Sequence, residues 1–134
     1  MIHLDSSFLI DLMREQRRSP GPATAWIDGH ARESLGISVF VACELEAGAA
    51  AAAHPGREGT RVRETLKALT RVVPDERFAA LYGALLYRMQ QRGRTIGTMD
   101  LLIATTAVAE GVPLLTDNRR HFEAVPDLIV LSYR

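Results

Sequence analysis

Five short apolar runs, "MIHL", "LGIS", "RVV", "PLL" and "LIVL", constrain this chain more than any other feature of it. None alternates apolar with polar residues, so each reads as a strand covered on both faces. The stretches between them keep helical spacing, and "SPGP" and "HPG" break them where a helix must stop. Short buried strands alternating with helices define the α/β class, built on a parallel sheet with helices on both faces.

The first strand ends at Asp5, and "SSFLIDLMREQRR" continues as a helix capped by Ser6 or Ser7, with Phe8, Leu9, Leu12 and Met13 inward. A short helix over "ATAWIDGHARE" precedes the strand "SLGIS", whose Ser38 caps the helix "VFVACELEAGAAAAA". A helix over 59–69 leads to "TRVV". Asp75 is the expected cap of the next helix, which runs through Phe78, Leu81, Tyr82, Leu85 and Met89 to Gly93. A last long helix begins near Thr98. It is followed by the strand "VPLLT", the helical turn "NRRHF" and the strand "LIVLS".

At 134 residues the chain forms one domain, 1–134, and its 47% hydrophobic and 24% charged residues exclude disorder. Its formal net charge is zero, so bulk charge does not announce a nucleic-acid partner and any basic surface must be local. Lys67 is the only lysine among the bases; the rest are arginines, which suit bidentate phosphate contacts. The single cysteine, Cys43, excludes an internal disulfide, fits a reducing cytoplasm and is expected as a small core residue. No membrane-spanning run and no signal-like start at "MIHLD" is present, so a cytoplasmic protein is expected.

The acids divide into two groups. Asp11 shares a polar helix face with Glu15 and Arg18, Asp28 can pair with Arg32, and Asp127 lies in the turn "VPD". Asp5, Glu44, Asp100 and Asp117 have no such explanation. Steps of three, four and seven from Asp100 give Ile103, Ala104 and Ala107, an inward face headed by a carboxylate. A first-turn position after an N-cap Thr98 makes that charge tolerable. Glu44 shares its face with Phe40, Val41 and Gly48, whereas Glu46 points away and serves as a solvated control. Asp5 closes the first strand and Asp117 follows the fourth, on the edge where parallel sheets bind ligands. Helices that follow strands start at that edge, which brings Glu44 and Asp100 over it.

Carboxylates gathered there repel each other, by roughly 4 kcal/mol per pair at ~4 Å and an effective dielectric near 20. Raised pKa values relieve part of this, and a divalent cation relieves more. Hard oxygen ligands select Mg²⁺ or Mn²⁺, whose use is to activate water and steady phosphate oxygens. His3, His30, His54 and His121 are scattered and are expected as surface or packing residues.

"HLDSSFLIDLM", "ISVFVACELEAGA" and "IGTMDLLIATTAVAEGVPLLTDNRRHF" resemble, in that order, the motifs of PIN-domain ribonucleases, and more narrowly those of the VapC toxins of bacterial toxin–antitoxin pairs. The likeness covers residues 2 to about 122. It implies a three-layer α/β/α sandwich around a parallel sheet of about five strands. The implied activity is Mg²⁺- or Mn²⁺-dependent endonuclease cleavage of structured RNA, transfer or ribosomal, leaving a 5′-phosphate. The family's first three acids fall on Asp5, Glu44 and Asp100, and the fourth position is filled by Asp117 or Asn118. Asp5 and Asp100 would be the principal metal ligands, Glu44 would bind a second ion or orient the attacking water, and Asp117 would complete the pocket. Ser6 or Ser7 supports the metal site in such proteins, although both also suit a helix cap. Thr116 could orient a carboxylate or simply end its strand. Arg92, Arg94, Arg119 and Arg120 flank the acid edge as phosphate contacts or as solvated surface. The implied partners are a VapB-type antitoxin whose arginine enters the acidic notch, an RNA substrate, and a second copy of the chain in a homodimer or toxin–antitoxin hetero-oligomer.

A phosphoacceptor receiver domain is excluded: Asp5 lacks an adjacent acid, and the lone Lys67 does not follow the last strand. No G-x-S-x-G or phosphate-cradling G-x-x-x-x-G-K-[ST] occurs. A PIN-like scaffold that binds RNA or protein without cutting is the alternative. Retention of all the acid positions argues against it.

Overall fold

The computed structural model describes residues 1–134. Its strands are β1 (Ile2–Leu4), β2 (Leu35–Ser38), β3 (Thr70–Val72), β4 (Leu114–Leu115) and β5 (Val130–Leu131). Every pairing is parallel, and the order is β3-β2-β1-β4-β5. The helices are α1 (Ser6–Arg17), α2 (Pro22–Gly29), α3 (Val39–Ala50), α4 (Pro55–Leu66), α5 (Phe78–Gln91), α6 (Thr98–Glu110) and α7 (Arg119–Phe122). They flank the sheet and make the expected α/β/α sandwich. No helix is long and apolar enough to cross a membrane.

The strand order fixes where a ligand can enter. The chain leaves β1 toward β2 and β3, then returns to place β4 on the other side of β1. Connections therefore diverge at the β1–β4 pair, and the crevice of a parallel sheet opens at the carboxyl ends of such a pair. Residues 5 and 116–118 follow those two ends directly.

Burial explains why the strands can be so short. Leu4, Ile37, Leu114 and Leu115 are sealed from solvent and pack with Phe8, Leu9, Leu85, Met89, Ile103 and Phe122. Gly36 is demanded by its neighbours, because a Cβ there would lie 2.8 Å from the Met1 sulfur and 3.1 Å from the Thr70 carbonyl oxygen. His3, opposite Gly36, is a packing residue: it is 1% exposed and neither ring nitrogen has a partner. Burial disfavours its cation and pushes its pKa down to about 4, with the positive amino terminus adding to the shift.

Several local expectations are corrected. The first-turn serines do not cap α1; Asp5 takes the N-cap position and the serine hydroxyls go elsewhere. Gly97, not Thr98, precedes α6. Arg77, not Asp75, precedes α5, and Asp75 instead accepts the Arg77 backbone N–H at 2.8 Å in the turn before it. The helix expected over 59–69 starts earlier, because Pro55 suits a first helical turn, and it ends at Leu66. Cys43 is exposed, since α3 buries Val41, Ala42, Leu45 and Ala49 and turns Cys43 outward. Glu15 is not a free surface acid: its carboxylate accepts the N–H groups of Gly21, Ala23 and Thr24 at 2.7–3.0 Å and fixes the α1–α2 turn. Asp28 and Arg32 form no ion pair. Ser38 caps α3 as expected, accepting from the Val41 N–H at 3.2 Å. Gly93 ends α5 with φ +65°, a conformation that costs glycine little.

Candidate active site

Asp5 is the fixed point of the crevice. Its backbone N–H extends the β1–β4 ladder by donating to the Leu115 carbonyl at 2.9 Å, which locks the residue at the strand end. Its side chain turns inward, leaving the residue 6% exposed. The Thr116 hydroxyl donates to Asp5 Oδ2 at 2.7 Å and the Ser7 hydroxyl donates to the same oxygen at 2.9 Å. These hydroxyls are themselves held, because the Asn118 N–H donates to Thr116 Oγ1 and the Asp117 N–H donates to Ser7 Oγ. Both side-chain donors converge on one oxygen, and Oδ1 accepts no side-chain hydrogen bond.

Glu44 reaches the same place from α3, one and a half turns in. Ser6 donates its hydroxyl to Glu44 Oε1 at 2.5 Å, so the adjacent serines of α1 serve two different carboxylates. Asp100 arrives from the first turn of α6, with Leu101, Ile103, Ala104 and Ala107 buried beneath it. Its Oδ2 lies 3.0 Å from His121 Nε2.

The three carboxylates feel one another. Burial raises the pKa of Asp5; the Thr116 and Ser7 hydroxyls oppose the rise and the Asp100 charge adds to it. Burial likewise raises Glu44, opposed by the Ser6 hydroxyl and reinforced by the charges of Asp5 and Asp100. No arginine or lysine pairs with any of the three.

The donor set fits a hard dication: carboxylate oxygens with serine and threonine hydroxyls behind them, Asp5 buried and Glu44 and Asp100 partly exposed, and no arginine or lysine paired with them. In the side-chain positions seen, no three His, Cys, Asp or Glu groups close on a single point. Magnesium does not require that, since it keeps several waters and takes one or two carboxylates directly.

Asp117 is placed differently from the other acids. Its Oδ1 receives Arg134 Nε at 2.8 Å, and the same arginine reaches Asp11. It therefore has the structural partner that its sequence context did not reveal. Asp11 is also redirected, away from Glu15 and Arg18 and onto the Tyr133 hydroxyl, which donates to it at 2.6 Å. Asn118 turns to a separate cleft beside His121. His121 is a site residue that its sequence context did not single out. Its signal was position: it lies in the short turn after β4, at the same edge as the acids.

A groove of about 330 Å³ lies between α1, α3 and α4, with Glu44 among the residues that line it. Ile10, Met13, Leu45 and Val62 form its apolar floor. Arg14, Arg17 and Arg61 stand at its rim, where Arg17 pairs with Glu58.

The chain matches the PIN-domain family model over residues 2–128. The chain belongs to the PIN-domain family. Within it, its relatives include VapC ribonucleases. One, from Sinorhizobium fredii, is 35% identical over 132 residues, 92% of this chain and 91% of the relative. Another, ribonuclease VapC2 of Rickettsia felis, is 31% identical over 100 residues, 75% of each chain. Among solved structures, VapBC2 from Rickettsia felis bound to a DNA fragment from its promoter superposes with a TM-score of 0.90, at 26% identity and over the full length of both chains.

Proposed function

We propose that this protein is a metal-dependent endoribonuclease toxin that hydrolyses structured RNA, transfer or ribosomal. The carrying observation is the set Asp5, Glu44 and Asp100 at the β1–β4 switch point, mutually repelling and without an arginine or lysine partner. Asp5 and Asp100 would hold Mg²⁺ or Mn²⁺, which supplies charge for the phosphate oxygens and acidifies water. Thr116 and Ser7 keep Asp5 Oδ2 oriented, and His121 does the same for Asp100. Glu44 Oε1 is taken by Ser6, which leaves Oε2 to orient the attacking water and receive its proton. Its raised pKa makes that proton easier to hold. Attack at phosphorus breaks the bond to the 3′ oxygen and leaves a 5′-phosphate. Asp117 lies at the rim of the pocket with its charge matched by Arg134.

The VapBC complexes among the structural relatives support a VapB-type antitoxin as partner. The groove from Glu44 along α1, α3 and α4 offers such a segment apolar anchors and leads it to the acids. A homodimer and a cytoplasmic location, where the RNA is, belong to the same reading.

Incubation of purified protein with total RNA in Mg²⁺, Mn²⁺ or EDTA, followed by mapping of the new 5′ ends, tests the proposal. Discrete ends that require the dication and vanish in Asp5→Asn are expected. Equal cleavage by Asp5→Asn and the unaltered protein would refute the assignment.

A further inference from the structure

A second cleft of about 330 Å³ lies on the far side of His121 from Asp100, between the loop that follows α5 and the α7 turn. Arg94, Thr95, Asn118, Arg120, His121 and Ala124 line it. Two arginines, a threonine, an asparagine and a histidine line this space, and no acidic residue does. Neither Arg94 nor Arg120 has an acidic partner, in contrast to Arg119, which is committed to Glu123 at 2.6 Å.

The cleft is joined to the acids by two short links. His121 lines it and also meets Asp100 at 3.0 Å. Asn118 lines it and also, through its backbone N–H, holds the Thr116 hydroxyl that orients Asp5. An anion seated there is one side chain, His121, away from Asp100.

We propose that this cleft is a subsite for a backbone phosphodiester of the RNA strand next to the one cleaved, clamped by Arg94 and Arg120. The assignment rests on the ribonuclease reading and deepens it. It gives the strand a direction, from the carboxylates past His121 toward the loop after α5. It also separates the four arginines at this edge, leaving Arg92 and Arg119 outside the clamp. The chemistry suits the chain's neutral balance, because paired guanidinium groups in one cleft concentrate positive charge that the whole molecule lacks.

The test uses the full chain carrying Asp5→Asn, to prevent cleavage, and fluorescently labelled unfractionated transfer RNA in magnesium buffer. Binding is followed by anisotropy across a salt series. Adding Arg94→Ala and Arg120→Ala together should weaken binding about tenfold or more and flatten the slope of log affinity against log salt by about 0.7, the value for one phosphate no longer neutralised on a single strand. Arg94→Lys with Arg120→Lys should keep most of the slope while losing part of the affinity. Arg57→Ala with Arg71→Ala, elsewhere on the surface, should change binding less than twofold.

Unchanged affinity and slope in the Arg94/Arg120 variant overturn the subsite, as does an equal loss in the Arg57/Arg71 variant. Weakened antitoxin binding with intact RNA binding also overturns it, by assigning the cleft to a protein partner. If the unaltered chain does not cleave RNA and Asp5→Asn does not bind it, the ribonuclease reading itself has failed and the subsite falls with it. Cleavage by the unaltered chain together with an indifferent Arg94/Arg120 variant removes the subsite alone.

Discussion

Two groups of acids lie at the same edge of the sheet, and the chain treats them in opposite ways. Asp11 and Asp117 are bridged by one guanidinium, that of Arg134, and Asp11 also receives the Tyr133 hydroxyl. Asp5, Glu44 and Asp100 receive hydroxyls and an imidazole but no guanidinium or ammonium. The first group is an internally neutralised tie that fastens residues 133–134 to α1. The second stores repulsion that an external cation would release. Neighbouring clusters of the same residue type are thus told apart by whether the fold supplies the counter-charge.

The two groups should differ most in their bearing on activity. Asp5→Asn or Asp100→Asn should lower RNA cleavage by roughly a thousandfold or more, several kcal/mol of barrier, while circular dichroism and the thermal midpoint show a folded protein. Wild-type turnover in either variant would place the chemistry elsewhere.

The pH dependence of stability separates two buried groups on the first strand and its end. His3 is held neutral, with a folded pKa of about 4 against an ordinary 6.5. Between those values the unfolded chain binds a proton that the folded chain does not. Stability is therefore full above pH 6.5 and falls as pH drops toward 4, by roughly 3 kcal/mol in all. Asp5 runs the other way, since its raised pKa makes the folded chain hold the proton longer than the unfolded chain. The stability advantage of Asp5→Asn over the unaltered protein should accordingly grow as pH rises through the carboxylate range. Urea titrations from pH 4 to 8 measure both trends, and a flat difference would show that Asp5 carries no excess charge.

Dication binding probes the same contrast directly. Mg²⁺ or Mn²⁺ at a hundred times its dissociation constant should stabilise the protein by about 2.7 kcal/mol. EDTA should reverse the gain, and Asp5→Asn should lack it. Asp117→Asn should keep it, because its charge is already matched by Arg134. Calorimetric scans with and without the ion decide between these outcomes.

The neutralised tie predicts a smaller effect. Tyr133→Phe removes the donor that Asp11 accepts at 2.6 Å and should cost about 1 kcal/mol with cleavage unaffected. Smallest of all, Glu46→Gln should change neither stability nor cleavage appreciably, since its partner Arg63 sits with it in solvent. Substantial loss of cleavage in either variant would mean that the active region extends beyond the three acids.

The order of strands and helices is legible in the sequence because burial on both faces leaves an apolar run that polar alternation would have broken. Asp100 and Glu44 stand out because a carboxylate on an inward helix face is a local contradiction, readable at spacings of three and four. Asp117 cannot be separated from them by that means. Its partner Arg134 lies beyond a further turn and strand, and no local pattern links positions 117 and 134. The same limit hides His121 on Asp100 and Asp11 under Tyr133. Ser6, Ser7, Asp75 and Thr98 suit helix caps by type, since each puts a hydroxyl or carboxylate near a helix start, yet none of them is one. At Ser6 and Ser7 a carboxylate competes for the hydroxyl and wins.

By itself the sequence determined the class of fold and singled out four acids expected at one edge of the sheet, since periodicity and strand ends are local properties. Only the tertiary structure decided which acids are neutralised and which are left charged, and which arginines face a common cleft. Counter-charges act over a few ångströms of space and are indifferent to distance along the chain.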